Sequence, residues 1–320
     1  MFDPILVPLD GSLLAECALP HSIAFTCAFG AKVTLLRVLD KNQAGEKAQL
    51  FDLVNWQINK TGARQYLEKT CARIQKAGLR IESAVLEGLV AESIIEYSQR
   101  QGMKLIVLSS HGRSGLSQWG LSSVTQKIIF GAPTSVLIIR AHQPASNELI
   151  EQQYKQIMVP LDGSRRSENV LPMVTLLARF FQSRIHIVHV VKTPEMARQM
   201  PLAHEDVELS ERIVTRNREE AIRYLDQVRL HSPLEGIDIQ THLLTSDNAA
   251  AALHELADKE GIDMVVLSAH GYSGYNQWPY GSMVNNFVLY GKVPLLVVQD
   301  LPAKEEPSVA EMTPREHSKP

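Results

Sequence analysis

The chain has 320 residues, enough for two domains of ordinary size, each with its own core. Hydrophobic residues make up 45%, charged residues 21%, and the net charge is −3; these are values of a soluble globular protein and give no reason to expect a nucleic-acid partner. No apolar run reaches the length of a bilayer span, and MFDPILVPLD lacks the basic region, apolar stretch and small-residue cleavage site of a secretion signal, so a cytoplasmic protein without membrane insertion is expected.

Residues 5–8 read as a short buried strand that runs into Asp10-Gly11-Ser12. Residues 12–29 have helical spacing, with Asp10 or Ser12 as the cap. Pro20 lies well inside that stretch, which predicts a kink. Residues 32–39 (KVTLLRVL) form the second strand. The long connection after it is helical in its latter part, where Leu67, Cys71 and Ile74 recur at i, i+4, i+7, and Gly78 ends it. Strand 80–86, helix 91–100 and strand 104–109 follow, then a Gly-containing loop, helix 123–130 stopped by Gly131 and Pro133, and strand 135–140 (SVLIIR). The three cysteines, Cys17, Cys27 and Cys71, show no CxxC spacing and are expected to be reduced, packed thiols.

The pattern then repeats. VPLDGS occurs at 7–12 and again at 159–164. The loop LSSHGRSGLSQWGLSSV at 108–124 returns as LSAHGYSGYNQWPYGSM at 267–283, with nine of seventeen positions identical. Two matched pairs in the same order mark an internal duplication. The hexapeptides are offset by 152 residues and the loops by 159, so seven extra residues lie between these landmarks, expected in the second connection. The second set of strands falls at about 156–160, 184–191, 238–244, 263–268 and 294–299, and Pro172 matches Pro20. The implied division is a first domain at 1–141, a polar linker at 142–154 and a second domain at 155–300. The last segment, 301–320, carries four prolines and four glutamates and reads as a disordered tail.

Five apolar strands alternating with helices predict a parallel sheet covered on both faces, once per repeat. Ligands of such sheets sit outside the carboxyl ends of the strands, where strand order reverses. If the first and fourth strands meet there, Asp10 and Gly112 face one crevice, and Asp162 and Gly271 face another. Glycine lets backbone approach a ligand without a Cβ in the way. A helix that starts beside it offers free N–H groups to an anion. The bland alternatives are a strand-to-helix turn for the glycines and helix capping for the aspartates.

The VPLDGS hexapeptides and the paired loops resemble the universal stress protein family, over about 4–140 and 155–299, as a tandem-domain member. The resemblance implies two doubly wound five-stranded parallel sheets of order 3-2-1-4-5, packed as a pseudo-symmetric pair. It also implies ATP, with Mg²⁺ on its phosphates as an option, held by a G-x2-G-x9-G-[S/T] pattern after the fourth strand. An Asp at the end of the first strand would contact the adenosine part. In repeat two the pattern maps to Ser268-Ala-His-Gly271, nine residues, then Gly281-Ser282, with only the first glycine replaced. In repeat one it maps to Ser109-Ser-His-Gly112, nine residues, then Ser122-Ser123, with two glycines replaced. The site residues implied are Pro160, Asp162, Val190, Ser268, His270, Gly271, Gly281, Ser282 and Met283 in repeat two, and Pro8, Asp10, Gly112, Ser122 and Ser123 in repeat one. Repeat two is expected to hold the better site.

The remaining signals are weaker. His111 and His270 are expected to hold their loops through a ring hydrogen bond, and Trp119 and Trp278 to be packing anchors. Ser114 and Ser273, with Ser123 and Ser282, could reach phosphate or its Mg²⁺. Arg113 becomes Tyr272 in repeat two, so it carries no required role. His186 and His189, three apart on a strand, point to opposite faces and cannot form a metal pair. No nucleophile–His–acid set is visible, so a binding protein rather than an enzyme is expected, with any hydrolysis slow. The competing reading is a scaffold that works without nucleotide, motivated by the two serines of repeat one. A homo-oligomer and an unidentified protein partner remain open, and pairing of the repeats would cover the edges of their fifth strands.

Overall fold

In a computed structural model the described residues are 2–40, 50–75, 78–112, 121–141, 152–194, 204–231, 236–272 and 280–299. The first half runs β1 (Ile5–Pro8), α1 (Leu13–Glu16), α2 (Ala18–Phe29), β2 (Val33–Asp40), α3 (Leu50–Gln75), β3 (Ile81–Gly88), α4 (Val90–Arg100), β4 (Leu105–Ser109), α5 (Ser123–Gly131) and β5 (Ser135–Ile139). The second repeats it as β6 (Gln156–Pro160), α6 (Arg165–Glu168), α7 (Leu171–Phe181), β7 (Arg184–Val191), α8 (His204–His231), β8 (Asp238–Thr245), α9 (Ala249–Lys259), β9 (Met264–Ser268), α10 (Ser282–Tyr290) and β10 (Leu295–Val298). Among the described residues no helix is long and apolar enough to cross a membrane. The expected tail at 301–320, and 142–151 of the expected linker, lie outside the described residues.

One expectation is corrected at once. The single kinked helix at 12–29 is two helices, α1 and α2, with Cys17 between them. Pro20 lies in the first turn of α2, where no intrahelical N–H is needed, instead of bending a helix from within. Pro172 occupies the same first turn of α7. The cap is the serine: Ser12 Oγ accepts from Ala15 N at 3.1 Å, and Ser164 Oγ accepts from Ser167 N at 3.2 Å. The aspartates bind one residue earlier, each accepting the N–H of that serine at 2.9 and 3.0 Å. Gly11 and Gly163 make this turn with φ of +83° and +84°, a conformation that L side chains rarely adopt.

Strand registers locate the extra residues of the second half. Ile5 pairs with Val33 and Ile157 with Ile185, Val33 with Ile81 and Ile185 with Ile239, Ile5 with Leu105 and Ile157 with Met264. The offset between halves is thus 152 at β1 and β2, 158 at β3 and 159 at β4. Six of the seven residues lie in the second connection, as expected, and one lies between the third and fourth strands.

The ten strands among the described residues form one sheet, in the order β3-β2-β1-β4-β5-β10-β9-β6-β7-β8. Every pairing is parallel except the seam, where β5 and β10 run antiparallel with Leu137 opposite Leu296. These two leucines are equivalents 159 apart, so a pseudo-two-fold axis passes between them. The seam covers the edge that each fifth strand would otherwise expose. The strands beside it, β4, β5, β9 and β10, are buried along their whole length, as strands with helices on both faces must be.

One apolar core lies on each face of the sheet, and each spans both halves. On one face Leu35 and Leu137 share a core with Ile185 and Leu296; on the other Leu36 and Val136 share one with Val188 and Val297. Tyr154, which the sequence places in a polar linker, is fully buried in the first of these. Its ring meets Phe25 and Phe181 edge-on at 6.0 and 5.2 Å, and its hydroxyl lies 2.6 Å from His21 Nδ1. Across the seam Arg140 Nη2 donates to the carbonyls of Phe287 and Val288 at the end of α10, at 2.5 and 2.9 Å, a favourable place for a cation. Glu16, also buried, accepts from Tyr66 Oη and Arg73 Nη1, both at 2.9 Å, and ties α3 to α1. Cys17 and Cys71 pack against the core, but Cys27 is exposed on the outer side of α2, against the expectation of three packed thiols.

Burial lowers the pKa of His21 from 6.5 to about 4, so the folded chain keeps this ring neutral where the unfolded chain would protonate it. The stability tied to the neutral ring is complete above pH 6.5 and is lost as pH falls towards 4. His21→Gln keeps a partner for the Tyr154 hydroxyl and removes the titration. Its urea midpoint is expected to fall less than that of the wild type between pH 7 and pH 5, measured by circular dichroism.

Candidate functional site

Among the described residues, each half has a crevice outside the carboxyl ends of its central strands. The first has a volume of about 320 Å³ and is lined from β1, β2, β4, α4 and α5; the second, of about 330 Å³, is lined from β6, β7, β9, α9 and α10. Pro8, Asp10, Gly112, Ser122 and Ser123 all line the first. Pro160, Asp162, Val190, Ser268, His270, Gly271, Gly281, Ser282 and Met283 all line the second. The fourteen residues singled out in the sequence are therefore gathered into two equivalent places. Arg113, Ser114, Trp119, Ser273 and Trp278 lie outside the described residues.

The centre of each crevice is a steric lock. A Cβ on Gly271 would lie 2.2 Å from Asp162 Oδ2, and one on Gly112 would lie 2.3 Å from Asp10 Oδ2. The glycines are thus needed first by the carboxylates that cross them, before any ligand is considered. Asp162 Oδ2 also accepts Tyr272 N–H at 2.6 Å, which fastens the loop after β9 to the end of β6. Burial works to raise the Asp162 carboxyl, but hydrogen bonds from Ser164, Tyr272 and Ser167 outweigh it and leave the group below its ordinary range. Asp162 is an anion at neutral pH. In the first half His111 Nδ1 meets Ser110 Oγ at 3.0 Å, and His111 N donates to Ser109 Oγ at 3.3 Å. His270, its counterpart, is buried.

The halves differ where a helix opens onto the crevice. In the first, Ser122 caps α5: its Oγ accepts Thr125 N–H at 3.1 Å and donates to Thr125 Oγ1 at 2.8 Å. In the second, Gly281 stands at the cap of α10 with no side chain to offer. A Cβ there would meet the Ala269 carbonyl at 3.7 Å, an ordinary contact, so no close neighbour crowds the start of the helix. Ser268 Oγ is buried with no hydrogen-bond partner among the described residues.

Several lining residues escaped the sequence reading. Val90 and Ile94 of α4, and Ala249 and Leu253 of α9, form an apolar wall opposite the strand ends. Val38 is the counterpart of Val190 at the 152-residue offset and lines the first crevice. The same offset pairs Asp40 with Lys192, so one crevice carries an acid where the other carries a base. Applied column by column, the duplication held both signals.

The profile of the universal stress protein family matches residues 1–140 and 153–299. The chain belongs to the universal stress protein family. Among curated relatives it is similar to universal stress protein MJ0577 of Methanocaldococcus jannaschii, 28% identical over 156 residues, covering 44% of this chain and 96% of the relative. It is also similar to universal stress protein YxiE of Bacillus subtilis, 26% identical over 149 residues, covering 44% of this chain and 100% of the relative. Each relative is the length of one half. Solved structures match across both halves: a universal stress protein from Archaeoglobus fulgidus with a TM-score of 0.62 and 16% identity, covering 94% of this chain and 97% of the other. PA1789 of Pseudomonas aeruginosa, described as functionally unknown, matches with a TM-score of 0.65 and 16% identity, covering 93% and 92%. At that identity the likeness is one of fold: a tandem universal stress protein arrangement.

Gly271→Ala should cost roughly 1–3 kcal/mol of stability by overpacking against Asp162, read by urea denaturation. In Asp162→Ala the same substitution should cost much less, so a double-mutant cycle should show coupling between positions 162 and 271. Additive costs would remove the steric lock.

Proposed function

We propose that this universal stress protein holds an adenine nucleotide, ATP, in the crevice of its second half, and holds it weakly or not at all in the first. The observation that carries this reading is the open start of α10 at Gly281, beside a crevice that is apolar on one side and polar at its mouth. The wall of Val188, Val190, Ala249 and Leu253 suits a purine face. Asp162, held as an anion, repels phosphate and accepts from hydroxyl or amino groups, which suits the nucleoside end. The first N–H groups of α10 and the Ser282 hydroxyl suit the phosphates. Lys192 adds a positive charge to this crevice where the first has Asp40; the first draws its positive charge from Arg37 on the neighbouring part of β2. Mg²⁺ would arrive on the phosphates, with the Ser282 hydroxyl and water as its oxygen donors.

Binding rather than turnover is the inferred role, since Asp162 is already engaged by three donors and so is a poor base. The first half favours the second reading, a surface that serves without nucleotide, because Ser122 spends its hydroxyl on its own helix.

Isothermal titration of ATP into the full chain should give one tight site. Gly281→Asp should weaken it by at least about tenfold, since a carboxylate would face phosphate at close range. Ser122→Asp should leave it unchanged. No heat from the wild type, or equal losses in both variants, would end this assignment.

A further inference from the structure

The second half gathers three ligand-type side chains that do not line its crevice. His186 projects from β7, His242 from the neighbouring β8, and Glu260 stands at the carboxyl end of α9. One potential ligand atom from each lies within 4.8 Å of those of the other two. His186 is 1% exposed, while His242 and Glu260 are half-buried, so the cluster has a deep side and a side open to solvent. Both histidines lie on the sheet face under α9: Val188, two residues from His186, and Leu244, two from His242, belong to the same core as Leu253 and Leu256.

The hydrogen bonds fix which nitrogens are offered. Gln156 Oε1 lies 2.8 Å from His186 Nε2, and as a carbonyl oxygen it can only accept, so Nε2 carries the hydrogen and Nδ1 presents a lone pair. That lone pair faces His242 Nε2 at 2.9 Å. The arrangement is that of a metal-ligating histidine whose far nitrogen is held by an outer acceptor. Tetrahedral Zn²⁺ with bonds of about 2.0–2.1 Å sets its ligand atoms about 3.3 Å apart, so the two facing nitrogens open by about 0.4 Å, and the two rings, whose planes lie within 16° of each other at a centroid distance of 5.2 Å, tilt so that both lone pairs point at the ion. The His242 hydrogen moves from Nε2 to Nδ1, and no proton is lost. Glu260 supplies negative charge; the exposed Lys259, whose Nζ lies 4.0 Å from Glu260 Oε1, has room to swing away.

The other half is a built-in comparison. The offsets of 152, 158 and 159 residues place Thr34, Ala84 and Gln101 at these positions, so neither imidazole and no carboxylate is present there. Packing of the duplicated fold therefore does not demand the cluster.

We infer that His186 Nδ1, His242 Nε2 and a carboxylate oxygen of Glu260 form a Zn²⁺ site of the second half, with water in the fourth position. Two imidazoles and one carboxylate are a donor set that zinc accepts. The ion ties β8, the outer strand of the sheet, to β7 and α9, and so acts as a staple of that edge.

The test uses the full chain, stripped with chelator and free of nucleotide, titrated calorimetrically with ZnCl₂. The wild type should bind Zn²⁺, and the Co²⁺-loaded protein should show the visible absorption of a four-coordinate ion. His242→Gln and Glu260→Gln should each weaken Zn²⁺ binding by more than tenfold and abolish that absorption. Gln156→Leu, which frees the His186 ring, should weaken it by about 10–100-fold. Glu260→Gln changes a half-buried cap residue and should keep the fold by circular dichroism and the ATP heat of the wild type, so it separates this site from the nucleotide crevice. Failure of the stripped wild type to take up Zn²⁺ overturns the assignment. So does Zn²⁺ affinity and a Co²⁺ spectrum unchanged in both His242→Gln and Glu260→Gln.

Discussion

The crossing of an aspartate over a glycine is the constraint on which both crevices depend. Asp162 and Gly271 come from the ends of β6 and β9, adjacent strands more than one hundred residues apart in the chain. Removing the Cβ lets the carboxylate lie against the backbone, and the carboxylate then takes up the loop's N–H at Tyr272. This closes the floor where strand order reverses, and the helices that follow start from it. The first half repeats the close approach with Asp10 and Gly112. A residue that looks like a ligand contact is thus also the part that shapes the space a ligand would enter.

Duplication followed by divergence explains the rest of the asymmetry. The two halves share strand order, the serine caps and the aspartate–glycine lock. They part at a few positions that face cavities or clusters: Ser122 against Gly281, Asp40 against Lys192, and Thr34 against His186. None of these changes the backbone plan, because each side chain sits at a strand end, at a helix start or on one face of a strand. Function can therefore drift in one half while the other half records what the fold alone requires.

Much of this was legible in the sequence. Short apolar runs gave the strands to within a residue or two, because parallel strands covered on both faces need little besides apolar side chains. The repeated hexapeptide and loop marked the two crevices. What stayed hidden depends on three-dimensional company. Pro20 reads as a kink until Ser12 is seen capping a separate short helix ahead of it. Tyr154 reads as linker until the two halves close on it. His186 and His189 do face apart, but the partner of His186 is His242, on a strand whose alignment only the register reveals. The apolar walls from α4 and α9 needed the same spatial step.

The antiparallel seam has a consequence for how the molecule meets its surroundings. Because strand direction flips between Leu137 and Leu296, the carboxyl ends of the two halves point to opposite rims of one continuous sheet. The crevices therefore open back to back. A ligand that entered one would be separated from the other by the width of the sheet. Any cross-talk must travel through the shared cores, past Tyr154 and the paired leucines. The chain is in this sense a two-faced body, with one mouth at each rim and shared cores between.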